Sequence, residues 1–127
     1  MSMFRKQGDI GVAYAIMHYT RLGYSVSIPI SEATKYDLLI DTDNMIHRVQ
    51  VKTTGSRSRF AEGYIATLCT TGGNKSGIGK KSFIDSQYVD LVFIYAIDGS
   101  LWEFPSAYCH GKTTIALTEY NSNYKIL

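Results

Sequence analysis

Three residues that could together act on a phosphate ester stand in the stretch KYDLLIDTDNMIHRVQVKTT, residues 35–54. Asp37 begins an apolar run, and Lys52 lies near the end of an alternating run with Gln50 two residues before it. A carboxylate can bind Mg²⁺, which prefers oxygen ligands, and a nearby ammonium can orient an attacking water or neutralise charge developing on a phosphate. These residues indicate metal-assisted hydrolysis if the fold brings them together.

Asp37 and Lys52 also have a structural interpretation. An aspartate can simply begin a strand, and a lysine on an edge strand discourages aggregation. On these two residues alone we favour the structural interpretation, so the surrounding pattern must decide. The isolated histidines are expected to be packed or surface side chains rather than general bases; they are His18, His47 and His110.

The periodicity of apolar residues predicts the elements that position these side chains. Apolar residues at three- and four-residue spacings from Lys6 to Leu22 predict an amphipathic helix that Gly23 ends. Residues 24–30 alternate and predict a first strand, with its end at a sheet edge or a bulge. Residues 36–41 and 45–54 predict two further strands joined by an Asx-type turn, which makes a hairpin. The helix stripe consists of Ile10, Ala13, Tyr14, Ile16 and Met17.

The period of two in the third strand predicts which side chains share a face. Successive side chains of a strand alternate between its faces, so Gln50 and Lys52 lie on one face and Val49 and Val51 on the other. Asp37 belongs to the preceding strand of the hairpin, so its side chain can lie across from Gln50 and Lys52.

The second half of the chain predicts the rest of an α/β fold with a mixed central sheet and a flanking N-terminal helix. Residues 63–70 predict a fourth strand, and residues 89–97, the most apolar run, the buried centre of the sheet. Residues 101–106 predict a hairpin partner for that run. A last short strand is expected over residues 113–117, and a short helix near Ser82 to Tyr88.

Length and composition favour a single globular domain over residues 1–127. The hydrophobic fraction of 45% and the aromatic fraction of 13% fit a folded chain. Cys69 and Cys109 lack the C-x-x-C spacing of a zinc site and are too few for a secreted disulfide scaffold. No segment approaches the roughly 20 apolar residues that span a bilayer. We therefore expect a cytoplasmic protein without membrane contact, at a nucleoid or in a phage-infected cell.

Positive charge is concentrated between Gln50 and Lys81, where Glu62 is the sole acidic residue. A charge run alone usually forms a solvated loop, but this one can also face phosphates. Its Gly- and Lys-rich part, residues 71–81, predicts a mobile loop and lacks the G-x-x-x-x-G-K-[ST] spacing of a P-loop. The candidates for phosphate contact are Arg57, Arg59, Lys75, Lys80 and Lys81.

The longer pattern resembles the PD-(D/E)XK nuclease superfamily. The resemblance spans about residues 7–54 and is carried by GDIGVAYA in the helix, SIPI at the end of the first strand, and SEATKYDLLI followed by HRVQVKTT. It is most similar to the branch that contains archaeal-type Holliday junction resolvases and a group I intron homing endonuclease. This resemblance implies a restriction-endonuclease-like fold and DNA cleavage with Mg²⁺, for which Mn²⁺ can substitute.

The resemblance also implies roles for individual residues. Asp37 matches the metal-binding acidic residue, Gln50 occupies the second metal-ligand position, and Lys52 matches the lysine that assists the water. Asp9 on the first helix would complete the metal site, and Ser31 matches a serine that the resolvases carry before the aspartate. A glutamine offers only a neutral carbonyl oxygen, which binds Mg²⁺ more weakly than a carboxylate. Some members, including the homing type, have Q-x-K at this position.

These features predict a Mg²⁺-dependent DNA endonuclease that resolves Holliday junctions, with site-specific homing cleavage as the alternative. Junctions and palindromic sites have two-fold symmetry and a chain of 127 residues offers limited surface, so we expect a homodimer or a higher homo-oligomer. Two non-catalytic alternatives stay open. A DNA-binding module that has lost catalysis through Gln50 would bind DNA without cutting it, and a structural domain would show no salt-sensitive DNA binding.

Overall fold

The computed structural model describes residues 3–72 and 80–127, and the side chains of residues 6–70 and 82–127. Within these residues the chain forms one mixed sheet covered on both faces. In chain order the elements are α1 (Met3–Arg21), β1 (Ser25–Ser27), β2 (Leu38–Asp41), β3 (Ile46–Thr54), β4 (Gly63–Thr67), β5 (Thr70–Gly72), β6 (Lys80–Ser82), β7 (Leu91–Ala96), β8 (Leu101–Pro105), α2 (Ser106–Cys109), β9 (Thr114–Thr118) and a 3₁₀ segment (Glu119–Tyr124).

Helix α1 confirms the predicted helix but packs with a different face. Gly11, Ala15 and Tyr19 recur every four residues and are buried against the sheet. A Cβ atom at Gly11 would collide with Cγ2 of Thr53 on β3, so only glycine lets the helix approach this closely. The expected stripe is therefore only partly turned to the core: Tyr14 and Ile16 pack against it, whereas Ile10 and Met17 are exposed.

Gly23 ends α1 as predicted, because its φ of 89° lies in the left-handed region that glycine adopts without steric cost. Strand β1 follows and is shorter than the predicted residues 24–30. It is an edge strand, which suits the nearby Pro29, a residue without an N–H for pairing.

The central sheet has five strands in the order β1-β2-β3-β7-β8. β3 pairs in parallel with β7, and the other neighbours are antiparallel, so the sheet is mixed. The hairpins β2–β3 and β7–β8 confirm those expected from the sequence. The apolar run of residues 89–97 lies inside the sheet, but β3 is the middle strand because β1 and β2 add on one side and only β8 lies beyond β7.

Two hydrophobic clusters cover the two faces of this sheet. Val49 and Phe93 belong to the cluster beneath α1. Val92 and Ile94, the neighbours of Phe93 on β7, belong to the cluster on the opposite face. There β4 and β9 pair with each other as a separate two-stranded sheet and contribute Leu117, among others, to that cluster. The strand expected over residues 113–117 thus lies in a second layer with β4, which ends at Thr67 and is shorter than the strand expected over residues 63–70.

The short helix predicted near Ser82 to Tyr88 is wrong. β6 ends at Ser82, and a single turn follows in which the N–H of Val89 donates to the carbonyl of Asp85 over 3.1 Å. The next amide, of Asp90, donates instead to the carbonyl of Arg48 on β3 over 2.8 Å, so the chain enters the sheet after one turn. Among the helices that the structure describes, none has the length and apolar character needed to cross a membrane.

Candidate active site

The β2–β3 hairpin holds Asp37 against the strand that carries Gln50 and Lys52. Asp37 lies directly before β2, and its N–H donates to the carbonyl of Val49 over 2.8 Å. Its carboxylate oxygen Oδ2 accepts a 2.7 Å hydrogen bond from the N–H of Val51. The backbone N–H and the side-chain carboxylate of Asp37 are therefore both hydrogen-bonded to the backbone of β3.

Asp37, Gln50 and Lys52 line one open cleft of about 610 Å³. The cleft lies on the sheet face opposite α1, because α1 contacts Val51 and Thr53, which alternate with Gln50 and Lys52 along β3. The structure thus brings Asp37, Gln50 and Lys52 together on one face of the hairpin, as their spacing predicts. The other lining residues come from four segments and are Thr34, Lys35, Leu68, Thr70, Ser82, Phe83, Ile84, Asp85, Tyr88, Val89, His110 and Gly111.

The carboxylate of Asp37 and the ammonium of Lys52 are partly withdrawn from water. Burial raises the pKa of Asp37, and the N–H of Val51 and the ammonium of Lys52 offset part of that rise. Burial likewise lowers the pKa of Lys52, against the opposing effects of Asp37 and Cys69. Asp37 as a whole residue is still exposed, because one side of it faces the open cleft. Asp37 and Lys52 are therefore partly desolvated but still accessible to a ligand from the cleft.

The donors in this cleft suit a divalent cation shared between protein and substrate. Oδ2 of Asp37 is engaged by Val51, and the second oxygen of the carboxylate can bind a metal, with the neutral carbonyl oxygen of Gln50 as a further ligand. Among the described side chains, no three His, Cys, Asp or Glu residues converge on one point. Mg²⁺ usually keeps several waters and is bound by one or two carboxylates plus substrate phosphates, so this donor set fits it.

The structure does not bring Asp9 or Ser31 to the cleft lining that it describes. Asp9 is exposed on α1, and α1 covers the opposite face of the sheet from Gln50 and Lys52. Ser31 is exposed, and its hydroxyl oxygen accepts a 3.1 Å hydrogen bond from the N–H of Ala33 in a local turn. The roles assigned to Asp9 and Ser31 by resemblance stay predictions without geometric support.

Two of the basic candidates lie on the connection between β3 and β4. Arg57 and Arg59 are both exposed there, and the guanidinium carbon of Arg57 lies 5.3 Å from the ring centroid of Tyr64. This cation–π contact orients Arg57 while leaving its charge at the surface.

The other basic candidates belong to the segment between β5 and β6. Lys75 lies outside the described residues, as does most of the loop that the sequence predicted to be mobile. Lys80 and Lys81 lie on β6, whose backbone pairs with β5. Thr70 and Ser82, which face each other in this pairing, both line the cleft. The lysine-bearing hairpin therefore starts at the edge of the cleft.

Several residues that line the cleft were not predicted from the sequence. Proximity to Asp37 in sequence is a signal that could have indicated Thr34 and Lys35. His110 is brought in only by the tertiary fold, and its Nδ1 accepts a 3.1 Å hydrogen bond from the N–H of Ser86. That bond leaves the proton of a neutral imidazole on Nε2.

Comparison with known proteins identifies the family. The family model described as PD-(D/E)XK endonuclease matches residues 3–123. The chain belongs to the PD-(D/E)XK endonuclease family. It is therefore a nuclease, with DNA as the substrate class, and the superfamily inferred from the sequence is confirmed.

A solved structure of a bacterial homing endonuclease, I-Ssp6803I, is similar over most of the chain. The TM-score is 0.85 at 22% sequence identity, and the match covers 98% of this chain and 89% of that one. At this identity the similarity shows the fold, which confirms the restriction-endonuclease-like α/β architecture expected from the sequence. No curated protein matches the chain.

Proposed function

We propose that this chain is a divalent-metal-dependent endonuclease that hydrolyses phosphodiester bonds in DNA. The convergence of Asp37, Gln50 and Lys52 in one cleft carries this proposal. Mg²⁺ is the proposed ion because the two proposed ligands, Asp37 and Gln50, offer oxygens, and Mn²⁺ is expected to substitute for it.

Each of the three residues has a distinct proposed role. Asp37 supplies the anionic ligand for the metal, and Gln50 supplies a neutral one. A bound divalent cation would polarise the scissile phosphate and stabilise the charge that develops on it. Lys52 orients the attacking water and faces the developing negative charge, and its lowered pKa makes its protons easier to share than those of an exposed lysine.

Two substrate classes remain within this proposal. The structurally similar protein is a homing endonuclease, which supports site-specific cleavage of linear duplex DNA. Resolution of four-way junctions, the first function predicted from the sequence, rests on the resemblance to resolvases alone. We therefore propose that site-specific cleavage of duplex DNA is at least as well supported as the resolution of four-way junctions.

A cleavage assay on matched substrates tests the proposal. Labelled four-way junctions and a random-sequence duplex library with the same flanking arms are incubated with Mg²⁺, with Mn²⁺ and with EDTA. We expect new ends with either metal and none with EDTA, and sequencing of the ends distinguishes cutting at junctions from cutting at a recurrent duplex site.

Two results would contradict catalysis. DNA binding without any cutting in Mg²⁺ or Mn²⁺ would make the chain a binding module that has lost catalysis. No salt-sensitive binding of either DNA would make it a structural domain. A homodimer or higher homo-oligomer stays the expected assembly because four-way junctions and palindromic duplex sites have two-fold symmetry, and sedimentation with and without DNA measures it.

A further inference from the structure

In the connection between β3 and β4, residues 55–62, the first half folds back and pairs with the start of β4. The N–H of Ile65 donates to the carbonyl of Ser56 over 2.9 Å, and the N–H of Ser58 donates to the carbonyl of Gly63 over 3.0 Å. Arg57 pairs with Tyr64 as an isolated bridge between these bonds. We call this segment the β3–β4 loop, and its backbone is held in place.

Phe60 stands at the tip of the β3–β4 loop with 96% of its surface exposed. Its N–H donates to the hydroxyl oxygen of Ser58 over 3.2 Å, which turns the backbone at the tip. A single exposed apolar side chain is not by itself evidence for a partner. This ring, however, lies beside the exposed cations Arg57 and Arg59, on a hairpin continuous with the strand of the candidate active site.

We infer that Phe60 contacts the bases of bound DNA, either in a groove or as a wedge between base steps, while Arg57 and Arg59 contact neighbouring phosphates. The inference rests on the proposed function. Proteins that bend DNA insert apolar side chains between base steps in this way, and stacking of a base on an aromatic ring contributes about 1–3 kcal/mol. The two exposed arginines that precede Phe60 in the same loop supply the charge complementarity that selects DNA as the occupant.

The distance from the candidate active site limits where this contact can fall. Phe60 is eight residues after Lys52. A fully extended chain spans at most about 3.6 Å per residue, so the Cα atoms of the two residues are at most about 29 Å apart. DNA advances about 3.4 Å per base pair, so with the reach of the side chains the contacted bases lie within roughly 10 base pairs of the cut. Because the loop backbone is fixed, Phe60 would help to set the spacing between recognised bases and the cleaved bond.

Binding measurements on two variants test the inference. The probe is a 40-base-pair duplex recovered by cleavage from the random-sequence library, and all proteins carry Asp37→Asn so that the duplex stays intact. Phe60→Ala is expected to bind about 5- to 150-fold more weakly, the loss of one stacked base, with an unchanged dependence of log K on log salt. Met45→Ala is the matched control, because Met45 is 61% exposed in the turn at the opposite end of β3.

A fluorescence measurement gives a second readout. In Phe60→Trp the new indole is exposed, whereas the natural Trp102 is 4% exposed and provides a constant background. We expect DNA to quench the emission of Phe60→Trp much more than that of the unsubstituted protein, because a stacked indole loses fluorescence.

Three outcomes would overturn the inference. Equal binding by Phe60→Ala and the unsubstituted chain, on DNA that the natural protein cuts, would leave the endonuclease proposal standing and remove this one alone. A lower molar mass of Phe60→Ala in solution would assign the ring to an interface between copies of the chain. A natural protein that neither binds nor cuts DNA would remove both proposals.

Discussion

The N–H of Val51 donates a 2.7 Å hydrogen bond to Oδ2 of Asp37. Val51 lies between Gln50 and Lys52 in sequence, while its side chain belongs to the opposite face of the strand. The backbone between the two cleft residues therefore holds the carboxylate in register with them. Because the donor is a backbone amide, this bond survives most substitutions at position 51.

Asp37→Asn is expected to abolish metal-dependent cleavage while the fold stays intact. The asparagine carbonyl can still accept the hydrogen bond from Val51, but the anionic metal ligand is gone. Gel assays of Mg²⁺-dependent nicking and circular dichroism measure the two effects. Asp43→Asn, in the turn at the far end of the same hairpin, is the control and should cut normally. Normal nicking by Asp37→Asn would refute the assignment of the metal site.

Asp37→Asn is also expected to raise the free energy of unfolding at neutral pH. Burial raises the pKa of Asp37 in the folded chain, so the ionised carboxylate costs stability at any pH above that raised pKa. The advantage of the variant should shrink as the pH falls through the folded-state pKa and vanish below the ordinary pKa of aspartate, about 3.9. Denaturant titrations of both proteins across this range measure it, and an advantage that persists in acid would show another cause.

Lys52→Ala is expected to reduce turnover of bound DNA by about 10²- to 10³-fold, the usual effect of losing one preorganised charge at a reacting group. Affinity should barely change, because one cation among many contributes little to backbone attraction. Single-turnover kinetics separate the two quantities. Lys6→Ala, an exposed lysine on α1, should leave both unchanged. A large loss of DNA affinity with normal turnover of bound DNA would show that Lys52 binds DNA and does not assist catalysis.

Substitutions of Gln50 are expected to shift the metal dependence in opposite directions. Gln50→Glu should lower the Mg²⁺ concentration needed for half-maximal cleavage, because the carboxylate is nearly isosteric and adds negative charge. Gln50→Ala should raise it. If the natural protein is inert and Gln50→Glu cuts DNA, the chain is a binding module. If neither substitution alters the dependence in an active protein, Gln50 is not a ligand.

Alanine at Lys75, Lys80 and Lys81 together is expected to flatten the plot of log K against log salt. Each lost phosphate contact lowers the slope by about 0.9, so the triple variant should be flatter by up to roughly 2.7. Binding isotherms at several salt concentrations measure it. Arg21→Ala, at the end of α1, is the control and should keep the natural slope. An unchanged slope in the triple variant would leave these lysines as solvated surface.

The sequence was sufficient for the elements whose information is local. The β2–β3 hairpin follows from a period of two and an Asx turn: the N–H of Asp43 donates to Oδ1 of Asp41 over 2.9 Å. The existence of α1 follows from its periodicity, but its rotation does not. Small residues decide that rotation, because Gly11 and Ala15 allow the close approach that larger apolar residues forbid, and Asp9 faces outward as a result.

The features that the sequence did not predict depend on contacts between residues that are far apart in the sequence. The turn after β6 ends early because Asp90 pairs with Arg48 on β3, through a 3.0 Å ion pair as well as the backbone bond. No local pattern shows that partner. His110 lines the cleft and is held there by its hydrogen bond from Ser86. This part of the cleft likewise cannot be predicted from the sequence, because it depends on the tertiary fold.

The alternation of side chains along β3 has an evolutionary consequence. Val49 and Val51 pack under α1, whereas Gln50 and Lys52 face the cleft. Packing therefore constrains the odd-numbered positions, and the proposed chemistry constrains the even-numbered ones. Under the proposed roles, one substitution at Gln50 or Lys52 would silence the chemistry without disturbing the packing under α1. A descendant that binds DNA without cutting it would then be one mutation away, and it would compete with its active parent for the same sites.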